Sequence, residues 1–151
     1  MAGAAELTQL MNSLQRVVAV APTDPRWRTE IGERLSILRR AFAEHVGLTE
    51  GPDGLYCQLL REAPRLASGV DGLVREHKAL LRAMEGLHAQ VATAQADQAA
   101  GGGGRIDEPA AGCPEEIRGW ASDILRELYE HRQRGADLVY EAYGTDLGGE
   151  T

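Results

Sequence analysis

The sequence has no run of uninterrupted apolar residues approaching the roughly 18 that a transmembrane helix needs. Its beginning carries an early acidic residue, Glu6, and no basic leader, which is unlike a secretory signal. From these two absences we expect a cytoplasmic protein with no membrane partner.

The sequence also has little cysteine. Cys57 and Cys113 are the only two in the chain, they lie far apart, and neither belongs to a CxxC pattern. A disulfide between them is compatible with the sequence. In a reducing cytoplasm, however, two free thiols are the expected state.

Positive charge is also in deficit, because 16 Lys and Arg residues stand against 23 Asp and Glu, for a formal net charge of −7. A surface that binds phosphates needs clustered cations, so this balance argues against a nucleic-acid partner. Aromatic residues make up only 5% of the chain while alanine and leucine are plentiful, a composition that favours helices. A chain of 151 residues is long enough for one domain with a sizeable core.

Apolar residues recur at helical spacing along most of the chain, and no segment shows the convincing period-two alternation of a strand. The pattern predicts four long helices and one short helix between the second and the third. The long helices are predicted over about residues 4–21, 25–46, 66–96 and 114–143, and the short one around residues 55–60.

Four amphipathic helices joined by connections favour an all-α fold, specifically an up-down-up-down four-helix bundle. We expect a single domain over residues 1–144. Its glycine-rich stretch at 99–112 is predicted to be a flexible loop, and residues 145–151 a C-terminal tail.

Three of the four histidines stand where the apolar stripe of a predicted helix calls for a hydrophobic residue. His45 continues the stripe of the second long helix, His77 lies within that of the third, and His131 within that of the fourth. His88 lies about 16 Å along its helix from His77 and is expected to be peripheral. A buried imidazole without a partner loses hydration worth about 1–3 kcal/mol. Two explanations fit three inward imidazoles: a shared metal ion, or hydrogen bonds to buried Tyr or Glu side chains.

Carboxylates are the second kind of ligand to consider, because iron sites combine them with neutral imidazole. Glu76 and Glu130 each directly precede a core histidine, so we expect them to point about 100° away from it. Gly135 stands one turn after His131 and leaves a gap on the inward face of the helix. Either a large neighbouring group occupies this gap, or a ligand side chain has been lost from the position. The nearby acidic residues, most of which belong on solvated faces, are Glu50, Glu76, Glu85, Glu127, Glu130, Asp137 and Glu141.

Four stretches of the chain carry a family resemblance: FAEHV at 42–46, GLY at 54–56, REHKALL at 75–81, and the closing run from His131 to Gly149. Together they resemble the hemerythrin-like, or HHE cation-binding, domain family over about residues 30–149, and bacterial members in particular. The resemblance implies a four-helix bundle that holds a non-haem di-iron centre through histidines and bridging carboxylates. Members are associated with binding, sensing or handling oxygen, peroxide, nitric oxide or iron. On matching positions His45, His77 and His131 would be iron ligands, with Glu50 a carboxylate ligand near the first.

The sequence departs from the family pattern at ligand positions. Gly135 stands one turn after His131, where the family usually has a carboxylate. Leu81 stands one turn after His77, where some members have a second ligand. Asp137 lies two residues beyond the expected carboxylate position, so its side chain should point elsewhere. Three readings remain open: a bacterial iron protein, with one or two iron ions, that responds to oxygen or another diatomic ligand; a metal-free interaction module that retains the bundle; and a metal-dependent oxidase or peroxidase.

Overall fold

The computed structural model describes residues 4–99 and 113–144, and within these ranges every regular element is a helix. The predicted loop at 99–112, beyond Ala99, and the predicted tail at 145–151 lie outside the described residues. The elements are α1 (Ala4–Ala19), α2 (Trp27–Glu50), α3 (Leu55–Glu62), a 3₁₀ turn (Pro64–Leu66), α4 (Ala67–Ala99) and α5 (Pro114–Tyr143).

The four long helices pack against one another in a ring: α1 contacts α2 and α5, and α4 contacts the same two helices on the other side. The predicted all-α fold is therefore confirmed. Each long helix turns its apolar stripe inward, and burial of these stripes forms the main core. Trp27 Nε1 donates a hydrogen bond of 3.0 Å to the Val17 carbonyl, which fastens the start of α2 to the end of α1. None of the helices in the described ranges is long and apolar enough to cross a bilayer.

The predicted end of α2 at about Val46 is wrong by one turn, since the helix continues to Glu50. Gly47 does not stop the helix, because its backbone stays helical on an exposed face with open space around it. The helix ends at Gly51, which precedes a proline, is extended (φ −63°, ψ 164°) and donates its N–H to the Gly47 carbonyl. The extra turn carries Glu50 toward α4.

Gly54 folds α3 back against the end of α2. A Cβ atom there would lie 2.4 Å from the Leu48 carbonyl oxygen and 2.6 Å from that of Thr49, so only glycine permits this approach. The short helix α3 thereby buries Tyr56 and Leu59 in a second, smaller core with residues from α4 and α5. The histidines lie where the two cores meet.

The long C-terminal helix agrees with its predicted bounds. α5 begins at Pro114 and ends before Gly144, whose positive φ of 68° places it in the left-handed region that favours glycine. Two acidic residues in its first turn, Glu115 and Glu116, face the positive end of the helix dipole.

Candidate metal centre

The three histidines predicted on inward stripes meet at one point in the fold. One ring nitrogen from each of His45 on α2, His77 on α4 and His131 on α5 lies within 4.8 Å of the others. Their ring centroids are separated by 4.7 to 6.2 Å. His77 and His131 are buried, with 0% and 1% exposure, and His45 is partly buried. These three rings are close enough together to bind a single metal ion.

Phe42 lies beside all three rings and is fully buried. It stacks on His45, one turn further along α2, at 5.7 Å between centroids. Its contacts with His77 and His131 are edge-on, at 5.5 and 5.9 Å. Because an aromatic ring is rigid, Phe42 restricts the orientations that the three imidazoles can adopt.

His77 has a hydrogen-bond partner on each ring nitrogen. Its Nδ1 lies 2.7 Å from Glu50 Oε2 and its Nε2 lies 3.2 Å from the Tyr56 hydroxyl. A carboxylate only accepts, so Nδ1 carries the proton, and Nε2 accepts from the tyrosine. Glu50, expected from the resemblance to be a ligand near His45, thus contacts His77 through the nitrogen that Tyr56 does not use.

His131 has a similar arrangement on α5. Its Nδ1 lies 2.9 Å from Glu76 Oε1, and the same carboxylate binds the Arg134 guanidinium at 2.7 and 3.1 Å. The expected displacement of Glu76 from His77 is compatible with this contact, because it is His131 of another helix that Glu76 meets. A side chain 100° around α4 from the inward face still faces the neighbouring helix α5. Glu130, by contrast, is exposed as expected.

Two ring nitrogens of the group have no hydrogen-bond partner among the described residues. These are Nε2 of His45 and Nε2 of His131, and both atoms are buried. Leaving a buried polar atom unpaired costs about 1–3 kcal/mol. For His131 the proton is on Nδ1, where Glu76 accepts it, so Nε2 offers a free lone pair. Lone pairs of this kind are what a metal ion requires from imidazole.

Burial also keeps these imidazoles in the neutral form. Burial first, and then the positive charges of His77, His131 and Arg132, together lower the pKa of His45 from 6.5 to about 4. Burial likewise lowers the pKa of His77 and His131, against the opposing effect of Glu50 on the first and Glu76 on the second.

Tyr56 is affected in the opposite direction. Burial, together with the negative charges of Glu50 and Glu76, raises its pKa well above the ordinary range, so the isolated phenol is neutral.

The dimensions of the group fit one ion. Three points no more than 4.8 Å apart lie within a circle of about 2.8 Å radius, whereas metal–nitrogen bonds measure about 2.0–2.1 Å. The rings would each need to move inward by less than about 1 Å. Two of the three imidazoles already donate their other N–H to a carboxylate, the arrangement that orients histidine ligands in metal sites and raises their basicity.

The other positions considered in the sequence supply no carboxylate to the group. Gly135 is buried on α5, and Leu81 packs against the main core. Asp137 is exposed and accepts a hydrogen bond from Gln133. His88 lines a separate surface groove between α2 and α4. The two cysteines are free thiols, as expected.

Sequence reasoning missed Tyr56, and it considered Glu76 as a nearby carboxylate without foreseeing its contact with His131. Tyr56 falls in the GLY motif at 54–56, which was one signal for it, but a helix as short as α3 has no periodicity that fixes the direction of a single side chain. The contact of Glu76 with His131 could not be foreseen, because it depends on which helix lies beside α4.

Comparison with known protein families, curated proteins and solved structures finds no match for this chain. The hemerythrin-like resemblance therefore remains a prediction from its sequence motifs, and the geometry of the three histidines is the independent observation beside it.

Proposed function

We propose that this protein is a hemerythrin-like metal-binding protein whose up-down-up-down bundle holds one non-haem iron ion between His45, His77 and His131. One observation carries the proposal: two buried Nε2 atoms, of His45 and His131, lack any partner within a group of three imidazoles. An ion bound to all three Nε2 atoms would satisfy both, and would use Nε2 of His77 as well. In this proposal Glu50 does not bind the ion itself but orients the His77 ring that does.

A single ion suits the available ligands better than the di-iron centre that the resemblance implies. Bridging carboxylates are needed to hold two ions, and the group of close ligand atoms contains histidines alone. Glu50 and Glu76 are each engaged with the Nδ1 of a histidine. With Gly135 and Leu81 at the other expected ligand positions, residues 4–99 and 113–144 provide no set for a second ion.

Imidazole suits zinc, copper, nickel and iron, so the choice of iron rests on the family resemblance. Three protein ligands leave coordination positions open, and such an ion can bind oxygen or another small diatomic molecule. We assign the protein a role in the response to oxygen, redox state, nitric oxide or iron in the bacterial cytoplasm. The two free thiols are consistent with a reducing compartment.

Metal analysis of untagged protein, loaded with ferrous iron without oxygen and freed of excess metal, tests this function. We expect about one iron per chain, and almost none in the variant with His45, His77 and His131 all replaced by alanine. His88→Ala is the matched control and should retain the full amount. Equal iron in the triple variant and the parent protein would contradict the proposal. A competition with zinc in the same protein identifies the preferred metal.

A metal-free interaction module is the second candidate, and specific contacts favour it. Tyr56 and Glu50 already satisfy both nitrogens of His77, and Glu76 satisfies one nitrogen of His131. In that case chelators would leave thermal stability unchanged and added iron would not raise it. The unpaired Nε2 atoms of His45 and His131 are the reason to prefer the metal-bound function.

A further inference from the structure

Tyr56 is a polar side chain that reaches the histidine group from outside the four long helices. Its hydroxyl oxygen lies 3.2 Å from Nε2 of His77, the nitrogen that the proposed ion would use. We propose that the Tyr56 oxygen is a fourth ligand of the same ion, bound as phenolate. This inference rests on the proposed function, since it requires an ion between the three histidines.

The distance between these two atoms matches that of two ligands on one ion. With bonds of about 2.0–2.1 Å, neighbouring ligand atoms are about 3.3 Å apart in a tetrahedral site and about 2.9 Å apart in an octahedral one. The 3.2 Å separation of the Tyr56 oxygen and His77 Nε2 falls between these values. The histidine nitrogens, which reach 4.8 Å apart, are further from their bound spacing.

The phenol is held in this place by its surroundings. The Tyr56 ring stacks on the His77 ring, with centroids 5.6 Å apart and planes inclined by 14°. Tyr56 is 4% exposed and belongs to the smaller core with Leu59 and Val70. The close approach of Gly54 to the end of α2 fixes the chain two residues before Tyr56, at the start of α3. The hydroxyl therefore has little freedom to turn toward water.

Binding of an ion to His77 would remove the acceptor that the Tyr56 hydroxyl now uses. His77 Nδ1 donates to Glu50, so the only lone pair of the ring is on Nε2, and the ion would take it. A buried hydroxyl left without an acceptor costs about 1–3 kcal/mol. Coordination avoids this cost: the oxygen forms a bond to the ion and the hydroxyl proton passes to solvent.

Charge supports the same assignment. Three neutral imidazoles leave the full positive charge of the ion in a buried site, and the two carboxylates that contact the rings, Glu50 and Glu76, are bound at Nδ1, away from the nitrogens proposed to hold the ion. A phenolate would supply one negative charge in direct contact with the ion. The phenolate would supply the negative charge that a carboxylate supplies in the family pattern at the position occupied here by Gly135.

Thr49 is the competing partner for the hydroxyl. Its own hydroxyl interacts with Tyr56 and also donates to the His45 carbonyl at 3.0 Å, so it has a lone pair to offer. If Tyr56 turned to Thr49 on metal binding, the phenol would keep its proton and no phenolate would form. The two arrangements therefore differ in a property that spectroscopy detects directly.

The test compares the full-length protein with Tyr56→Phe and with Tyr129→Phe as the matched control. Tyr129 is exposed on α5 and its hydroxyl donates to Asn12, away from the histidines. Each protein is loaded with ferrous iron, oxidised in air and assayed for iron content, visible absorption and resonance Raman scattering. We expect the parent and Tyr129→Phe to show a phenolate-to-iron charge-transfer band with tyrosinate vibrations. Tyr56→Phe should lose both while its three histidines still bind iron.

Each result decides a different question. Bound iron without the charge-transfer band in the parent protein, or a band that persists in Tyr56→Phe, would overturn the tyrosine ligand and leave the histidine site standing. Absence of bound iron in the parent protein would overturn both proposals. If Tyr56→Phe fails to fold, measurements on the parent protein alone still show whether Tyr56 binds the ion. Titration with zinc should then produce the near-ultraviolet difference spectrum of tyrosinate, and its absence from zinc-loaded protein counts against the inference.

Discussion

The carboxylate of Glu50, in the last turn of α2, lies 2.7 Å from Nδ1 of His77 on α4. This contact fixes the tautomer of a fully buried ring, with the proton on Nδ1 and the lone pair on Nε2. A second carboxylate, Glu76, does the same for His131. The site is thus oriented from outside the three rings, by residues that need not touch the ion.

Glu50→Gln should weaken iron binding by about tenfold, at the low end of the 10–100-fold range for such partners, because an amide accepts the same hydrogen bond without the negative charge. Competition with a chelator of known affinity measures the change. Glu44→Gln, an exposed residue in the same helix, is the control and should bind iron like the parent protein. Equal affinity in all three proteins would show that Glu50 does not support the site.

The metal-free protein should lose stability as the pH falls from about 6.5 toward 4. Burial and neighbouring positive charges lower the pKa of His45 to about 4, and burial lowers those of His77 and His131, whereas the unfolded chain has ordinary pKa values near 6.5. Between these limits the unfolded chain binds more protons than the folded one, so the free energy of unfolding decreases with falling pH. His45 alone contributes about 2–3 kcal/mol to this loss.

Urea unfolding at several pH values across this window measures the effect, with chelator present throughout. His45→Gln removes the largest resolved contribution, so its stability should depend less steeply on pH than that of the parent protein. Identical slopes would mean that His45 is not buried in its neutral form.

Gly54→Ala should destabilise the protein by about 1–3 kcal/mol, because the new Cβ would meet backbone carbonyl oxygens of α2 that cannot move aside cheaply. Gly47→Ala provides the matched control. It lies in the exposed part of α2 with open space around it, so the better helix propensity of alanine should raise stability by up to about 1 kcal/mol. Thermal or urea unfolding distinguishes them, and equal effects of the two substitutions would contradict the close packing of α3 on α2.

Phe42→Ala should cost about 3–5 kcal/mol of stability, since it removes a fully buried ring in contact with all three imidazoles. It should also weaken iron binding, because the rings lose the contact that restricts their orientation. Ile37→Ala, in the same helix but 51% exposed, should change stability by less than about 0.5 kcal/mol. A loss of stability without any loss of iron affinity would show that Phe42 serves the core alone.

The histidine group is predictable from the sequence because its formation depends only on the helical periodicity of the apolar residues. His45, His77 and His131 occupy positions on apolar stripes of period 3.6, and packing of those stripes brings the positions together whatever the connections are. The bounds of α5 follow from Pro114 and Gly144 in the same local way.

The remaining parts of the site depend on tertiary packing. Glu76 reaches His131 because α5 lies beside α4, a relation that the sequence of α4 does not contain. Glu50 reaches His77 only because α2 continues past Gly47, where packing outweighs the cost of a glycine in a helix. Tyr56 is placed by the approach of Gly54 to α2, a contact between neighbouring elements that periodicity cannot foresee.

The account rests on one ion held by three imidazoles from three helices, and X-ray absorption of the iron-loaded protein measures this directly. We predict nitrogen and oxygen ligands at about 2.0–2.2 Å, with the outer-shell scattering of three imidazole rings and no iron–iron vector. Iron with fewer than two imidazole ligands would contradict the site, and an iron–iron vector would contradict its single-ion form.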